Sequence, residues 1–290
     1  MPTFLFVFLI VVFQSASAND SLARVEGGNI RFKKTDQVSM VSEKLTISEK
    51  EVEVEYVFRN RQQKPITDTV SWPLPELQSE LPYAIDGRIE DWMQGKDPIH
   101  FEVKVDDKPV TPKILTKKKF YAQSHQEYQL QVNYVWEQTF PPGKNVKVTH
   151  KYRTSLGTGW GHSPQDIAFG NHSGLSIEDK LTYCVDSTFL KSFEKLKNKL
   201  TTKLPGSNYT TLNDYMHFNS FGRFAYILRT ANNWAGPIET FELNIVKSSP
   251  TTLVSLCWDD LKKVSSTKFQ SIKNNFQPSS DLAVLFVFDR

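Results

Sequence analysis

Residues 51–58, EVEVEYVF, alternate Glu51, Glu53 and Glu55 with Val52, Val54, Tyr56 and Phe58. A period of two is the period of a β-strand, which sends successive side chains to opposite faces. A chain written this way has one buried and one charged face. The pattern returns in FEVKVDDKPV (101–110), with a turn at Asp106-Asp107-Lys108. It returns in YQLQVNYVWEQTF (128–140), where Leu130, Val132, Tyr134 and Trp136 share a face. Pro141, Pro142 and Gly143 break that run, because proline lacks a donor N–H and glycine permits a tight turn. VKVTHKY then resumes with Val146, Val148, His150 and Tyr152 in phase. Short strands punctuated by turns are what an antiparallel sandwich requires.

Between Thr154 and Gly174 the alternation dissolves into a glycine-rich connection; loops this long are usually functional or link domains. Beyond it we read a strand at 181–185 and a helix at 187–200. Asp186 or Ser187 caps that helix, and Phe189, Leu190, Phe193, Leu196 and Leu200 form its apolar stripe. Strands follow near 222–230, 239–247 and 252–258. A second helix is read in STKFQSIKNNF (266–276), and a wholly apolar strand in DLAVLFVF (281–288), buried on both faces. The expected fold is mainly β: two antiparallel β-sandwich-like domains, residues 19–153 and 175–290, joined by the 154–174 loop. The second domain carries one or two short packed helices.

Residues 1–18 form an apolar run ending in Ala16-Ser17-Ala18, the small-residue site of a secretory signal peptide. No Lys or Arg precedes the run, which leaves an uncleaved anchor as the alternative. The apolar core, Phe4 to Phe13, falls short of the roughly 20 residues of a membrane helix. We therefore expect an exported chain, periplasmic or secreted, that begins at Asn19 and has no later membrane span. A net charge of +3 argues against nucleic acid as a partner. Lys117-Lys118-Lys119 reads as a solvated loop or strand edge before it reads as an anion contact. In an oxidising compartment Cys184 and Cys257 are candidates for a disulfide; otherwise they are two buried thiols.

Taken in order, VSMVSEKLTIS, VEVEYVFRN, WPLPE, YVWEQTFPPGKNVKVTHKY, YCVDSTFL, ILRTANNWAGPIETFELNIVK and LVSLCWDDLKKVSSTKF resemble a family of exported bacterial proteins. That family is known only as a domain of unknown function, numbered forty-four twenty-four. The resemblance covers essentially the whole mature chain. It implies export and kinship, and assigns no activity, cofactor or ligand. Residues 72–121 also resemble, faintly, the module of vault proteins and inter-α-trypsin inhibitor heavy chains.

The histidines His100, His125, His150, His162, His172 and His217 form no pair at metal-binding helical spacing. His162, Asp166 and His172 share the glycine-rich loop and are a conceivable metal set. His150, on an apolar strand face, reads as a satisfied core histidine. No nucleophile elbow, P-loop or dinucleotide fingerprint occurs. Trp234 stands in the turn Asn-Asn-Trp-Ala-Gly-Pro, either as a lid over the sandwich end or as a presented contact. If presented, Trp234, Asn232, Asn233 and Trp160 are the candidate binding residues, and Trp72 and Trp92 add aromatic surface near loops. Two functions are in view. One is an exported, non-catalytic binding or structural protein of the bacterial envelope or secretome, without a cofactor, whose partner is a protein or glycan. The other is a secreted metal-dependent hydrolase built on the 154–174 loop.

Overall fold

A computed structural model describes residues 19–26, 29–78, 89–120, 128–154, 181–201 and 221–288. The leader (1–18), and Trp160, His162, Asp166 and His172 with most of their loop, lie outside the described residues. The strands in chain order are β1 (Ser21–Glu26), β2 (Asn29–Lys33), β3 (Val38–Ser48), β4 (Glu51–Asn60), β5 (Ile66–Pro73), β6 (Leu77–Gln78), β7 (Glu102–Val105), β8 (Lys108–Val110), β9 (Lys113–Phe120), β10 (Tyr128–Phe140) and β11 (Asn145–Arg153). They continue with β12 (Phe221–Tyr226), β13 (Ile238–Val246), β14 (Leu253–Leu256), β15 (Lys262–Lys263), β16 (Lys268–Phe276) and β17 (Leu282–Val287). Helix α1 is Ile89–Met93, α2 is Ser187–Thr201, and a 3-10 turn spans Arg229–Asn233.

These strands form three sheets. A six-stranded sheet runs β2-β1-β5-β10, with β9 on the far flank of β10 and β6 pairing its first residues. An eight-stranded sheet runs β15-β16-β13-β3-β4-β11-β7-β8, and a three-stranded sheet runs β12-β17-β14. The first two pack face to face, as the alternation requires. Val52, Val54, Tyr56 and Phe58 are all essentially inaccessible. Across the interface Phe58 meets Phe140 at 5.9 Å and Trp72 meets Tyr152 at 4.7 Å. Trp72 and Trp92 are core residues and not surface aromatics, since both indoles find room between elements. One buried apolar cluster takes residues from all three sheets.

The apolar strand β17 has two buried faces for a visible reason. Leu282, Val284 and Phe286 join the main core. Leu285 and Val287 meet Tyr183, Phe189, Phe193 and Leu196 on and before α2. Asp186 caps α2, its Oδ1 accepting the Phe189 N–H at 2.7 Å. Cys184 and Cys257 are disulfide-bonded, with Cα atoms 5.0 Å apart, tying the segment before α2 to the end of β14.

Two expectations change, and one pairing crosses the expected domain boundary. Residues 181–185 end a helical turn and lead into α2 where a strand was expected, because Asp186 starts the helix there. The expected second helix is β16. Phe269, Ile272 and Phe276 mimic helical spacing, but the segment saturates the open edge of β13 from Ile238↔Phe276 to Val246↔Lys268. Unpaired strand edges supply a whole row of donors and acceptors, and that outweighs local propensity. Finally, β13 lies parallel to β3 in register from Thr240↔Ser42 to Val246↔Ser48. The eight-stranded sheet thus draws strands from both sides of the boundary expected between residues 153 and 175. Lys117, Lys118 and Lys119 lie on β9, an edge strand, where lysines discourage sheet-to-sheet association.

Candidate functional site: a sealed acidic cluster under the first strand

The first described residues, Asn19, Asp20 and Ser21, are each fully buried. β1 pairs with β5 through Ser21↔Ser71 and Leu22↔Val70. Alternation therefore turns Asp20, like Leu22, toward the opposing sheet. The turn around Trp234 holds this segment in place. The Trp234 indole N–H donates to the Asp20 carbonyl at 2.8 Å, and Asn233 Nδ2 donates to Ser21 Oγ at 3.0 Å. Asn232 Nδ2 donates to the Pro278 carbonyl at 2.8 Å. Asp281 anchors the approach, accepting the Leu228 and Arg229 N–H groups and the Arg229 guanidinium. Gly236 closes the turn at φ +81, a conformation that side-chain-bearing residues rarely adopt. Trp234 is 3% exposed, with its ring 4.5 Å from Phe58 and 6.0 Å from Phe140. It occupies the lid position; Asn232 and Asn233 brace the fold beside it.

Beneath the lid sits a group of ionisable side chains. Val38 and Met40 point inward from β3, and the register then shifts between Met40 and Ser42. After that β-bulge Glu43, Leu45 and Ile47 point inward instead. The bulge thus places a glutamate in the core. Glu43 Oε2 accepts from Asn19 Nδ2 at 3.1 Å, and Oε1 accepts from the Tyr226 hydroxyl at 3.2 Å. The Tyr226 and Tyr56 hydroxyls are 2.7 Å apart. His150 of β11 lies among the rings of Tyr56, Phe101 and Trp136, its Nε2 3.5 Å from Asp20 Oδ2. His150 is buried as expected, but neither ring nitrogen has a hydrogen-bond partner, nor does either Asp20 carboxyl oxygen.

Burial dominates the electrostatics. It pushes the Asp20 carboxyl well above the usual range, and the nearby Glu43 adds to the rise. It lifts Glu43 from 4.5 to about 7, against hydrogen bonds from Asn19 and Tyr226 that favour the carboxylate. It lowers His150 from 6.5 to about 3. The 3.5 Å approach of His150 to Asp20 has the distance of an ion pair, yet burial drives both groups toward their neutral forms, so we read it as a polar contact. Among the described residues, no group of three His, Cys, Asp or Glu is arranged to hold a metal ion.

These shifts have a sign that can be measured on the chain in which Asn19 remains joined to Ala18. Between 4.5 and about 7 the folded state keeps the Glu43 proton that the unfolded state has released, so the Glu43 contribution to stability falls as pH rises, and the raised Asp20 carboxyl acts in the same direction. Between about 3 and 6.5 the unfolded state takes a proton that folded His150 refuses, so the His150 contribution falls as pH drops, opposing that of Glu43 between 4.5 and 6.5. Glu43→Gln should remove the Glu43 share of the fall, so that the two profiles diverge progressively from pH 4.5 to about 7. The difference should be on the order of 3 kcal/mol above neutrality in urea melts across pH. Parallel pH profiles for the two proteins would refute the assignment.

The sequence carried one overlooked signal for this cluster. The apolar phase on β3 steps from even positions, Val38 and Met40, to odd ones, Leu45 and Ile47. That slip marks a bulge, and it turns Glu43 inward.

A family model described as a domain of unknown function, DUF4424, matches residues 18–125 and 114–285. The chain belongs to this family. A comparison with curated proteins finds no match. Among solved structures, this DUF4424 chain is similar to a candidate nutrient-binding protein from Legionella pneumophila. The two are 15% identical over 94% of this chain and 72% of that one, with a TM-score of 0.47. It is also similar to an M1 zinc metallopeptidase from Deinococcus radiodurans, at 7% identity and TM-score 0.30. That match covers 90% of this chain and spans 44% of the peptidase's length.

Proposed function

We propose that the chain is an exported, non-catalytic binding or structural protein of the bacterial envelope or secretome, with a protein or glycan partner. The observation that carries this reading is the sealing of the acidic cluster. Asp20, Glu43, Tyr56, His150 and Tyr226 are all no more than 1% exposed, so a substrate has no path to them. Recognition then falls to the outer surface of a rigid sandwich. Export is supported by the small-residue site at 16–18, by the Cys184–Cys257 bond, which suits an oxidising compartment, and by a family match that begins at residue 18. No helix among the described residues is long and apolar enough to cross a membrane.

The test pairs two measurements on the exported protein. Photo-crosslinking groups at the exposed Phe120 and Ile272 positions, introduced in living cells, should trap a discrete envelope component. The purified protein should carry no stoichiometric metal. Stoichiometric zinc that disappears in His162→Ala, together with ester or peptide hydrolysis, would overturn the proposal in favour of a hydrolase using His162, Asp166 and His172.

A further inference from the structure

Asn19, the residue expected to begin the mature chain, is wholly buried, and its backbone nitrogen donates to Thr230 Oγ1 at 2.8 Å. Its side chain holds Glu43, and its neighbour Asp20 presents two buried carboxyl oxygens without a hydrogen-bond partner. The described residues that face these acids include no fixed cation. β3 contributes Glu43, β4 Tyr56, β11 His150 and Tyr152, β12 Tyr226, and the 3-10 turn Thr230. None is a lysine or arginine, and His150 is held neutral. Buried carboxylates ordinarily require a positive partner. Among the described residues here, the group that can gain a positive charge is the Asn19 backbone nitrogen, whose residue bonds Thr230 through that nitrogen and Glu43 through its side chain. Within a peptide it is neutral with a single N–H; at a chain terminus it is an ammonium with three.

We propose that removal of the leader after Ala18 creates the missing counter-ion, and that the α-ammonium of Asn19, seated on Thr230 beside Asp20 and Glu43, completes the core. The step is a hydrolysis catalysed by the leader peptidase of the export route. One water adds across the Ala18–Asn19 peptide bond. The carboxylate leaves on Ala18 with the leader, and the freed Asn19 amine takes up a proton. The uncleaved chain leaves the acids without a cation and holds Glu43 protonated up to about 7. The cleaved chain can ionise them. Processing would then be sensed inside the fold, at a site 211 residues in sequence from its partner Thr230. The inference rests on the export reading above.

The test uses chains whose first residue is set in vitro by a specific protease, so that it does not depend on export. One chain begins at Asn19 and one carries a single glycine before it; each is made with Glu43 and with Glu43→Gln. The chain beginning at Asn19 should be more stable than the extended one, with a folded-to-unfolded ratio raised about tenfold or more, the equivalent of one pKa unit. That advantage should shrink severalfold in Glu43→Gln. Its amine should also react with an acylating reagent at least about tenfold more slowly when folded than in urea, as expected for a group that reacts only on opening. Equal stability with and without the glycine, or an amine as reactive folded as unfolded, would overturn the proposal. If Glu43→Gln does not fold, those two readouts on the native sequence still decide. N-terminal sequencing of the exported protein separates the two levels. A first residue other than Asn19 defeats the processing reading and this inference together. Asn19 at the terminus with no effect of the added glycine defeats this inference alone.

Discussion

Trp234→Ala should destabilise the protein by about 3–5 kcal/mol, the range for removing a large buried aromatic side chain. The indole packs on Phe58 and Phe140, which come from opposing sheets, so the cavity opens where the two layers meet. The substitution also strips the Asp20 carbonyl of its donor at the point where the chain enters the core. Trp234→Phe separates the two effects. It keeps most of the ring contact and loses only the N–H, at a cost of about 1–3 kcal/mol for an orphaned buried acceptor. Urea melts of both variants make the measurement. An unchanged midpoint for Trp234→Ala would show that the residue is not the lid described here.

Reducing the Cys184–Cys257 bond should cost about 4 kcal/mol by the loop-entropy argument, given a sequence separation of 73. The loss should fall first on the three-stranded sheet and α2. Among the described residues their own cluster holds Tyr183, Phe189, Phe193, Leu196, Leu285 and Val287, with a few half-buried neighbours. Denaturant melts with and without reductant, followed by helical signal and by tryptophan fluorescence, should show the helix leaving before the main core. Coincident, unshifted transitions would show that the bond adds nothing to this corner. Cys184→Ala with Cys257→Ala provides the same comparison without reductant.

Strands whose two faces differ in polarity were readable from sequence. β4 and β11 alternate cleanly, and their buried sets match the structure residue for residue at Val52 to Phe58 and Val146 to Tyr152. β17 was readable because an uninterrupted apolar run needs two covers. β16 was not, since its side chains are mostly half-exposed and its reason for being a strand lies on β13, far away in sequence. Pairing between β3 and β13 was invisible for the same reason: nothing local encodes which strand edge will be a neighbour. At the site, the turn chemistry of Asn232 to Pro237 pointed to a fixed tryptophan. The acids beneath it went unnoticed because Glu43 sits within the ordinary-looking run VSEKL, and only the bulge turns it inward.

The parallel pairing of β3 with β13 bears on how the molecule is made. β3 emerges from the ribosome, or from an export channel, about two hundred residues ahead of the strand that will cover its edge. Until residue 246 is available, a long strand with an apolar inner face stands with a row of bare donors and acceptors, open to any passing chain. Contacts of such wide sequence separation form late, because the loop must close before they stabilise anything. The edge of β3 must therefore be kept from the chain's own copies until β13 arrives, and the eight-stranded sheet is complete only when two segments about two hundred residues apart have met.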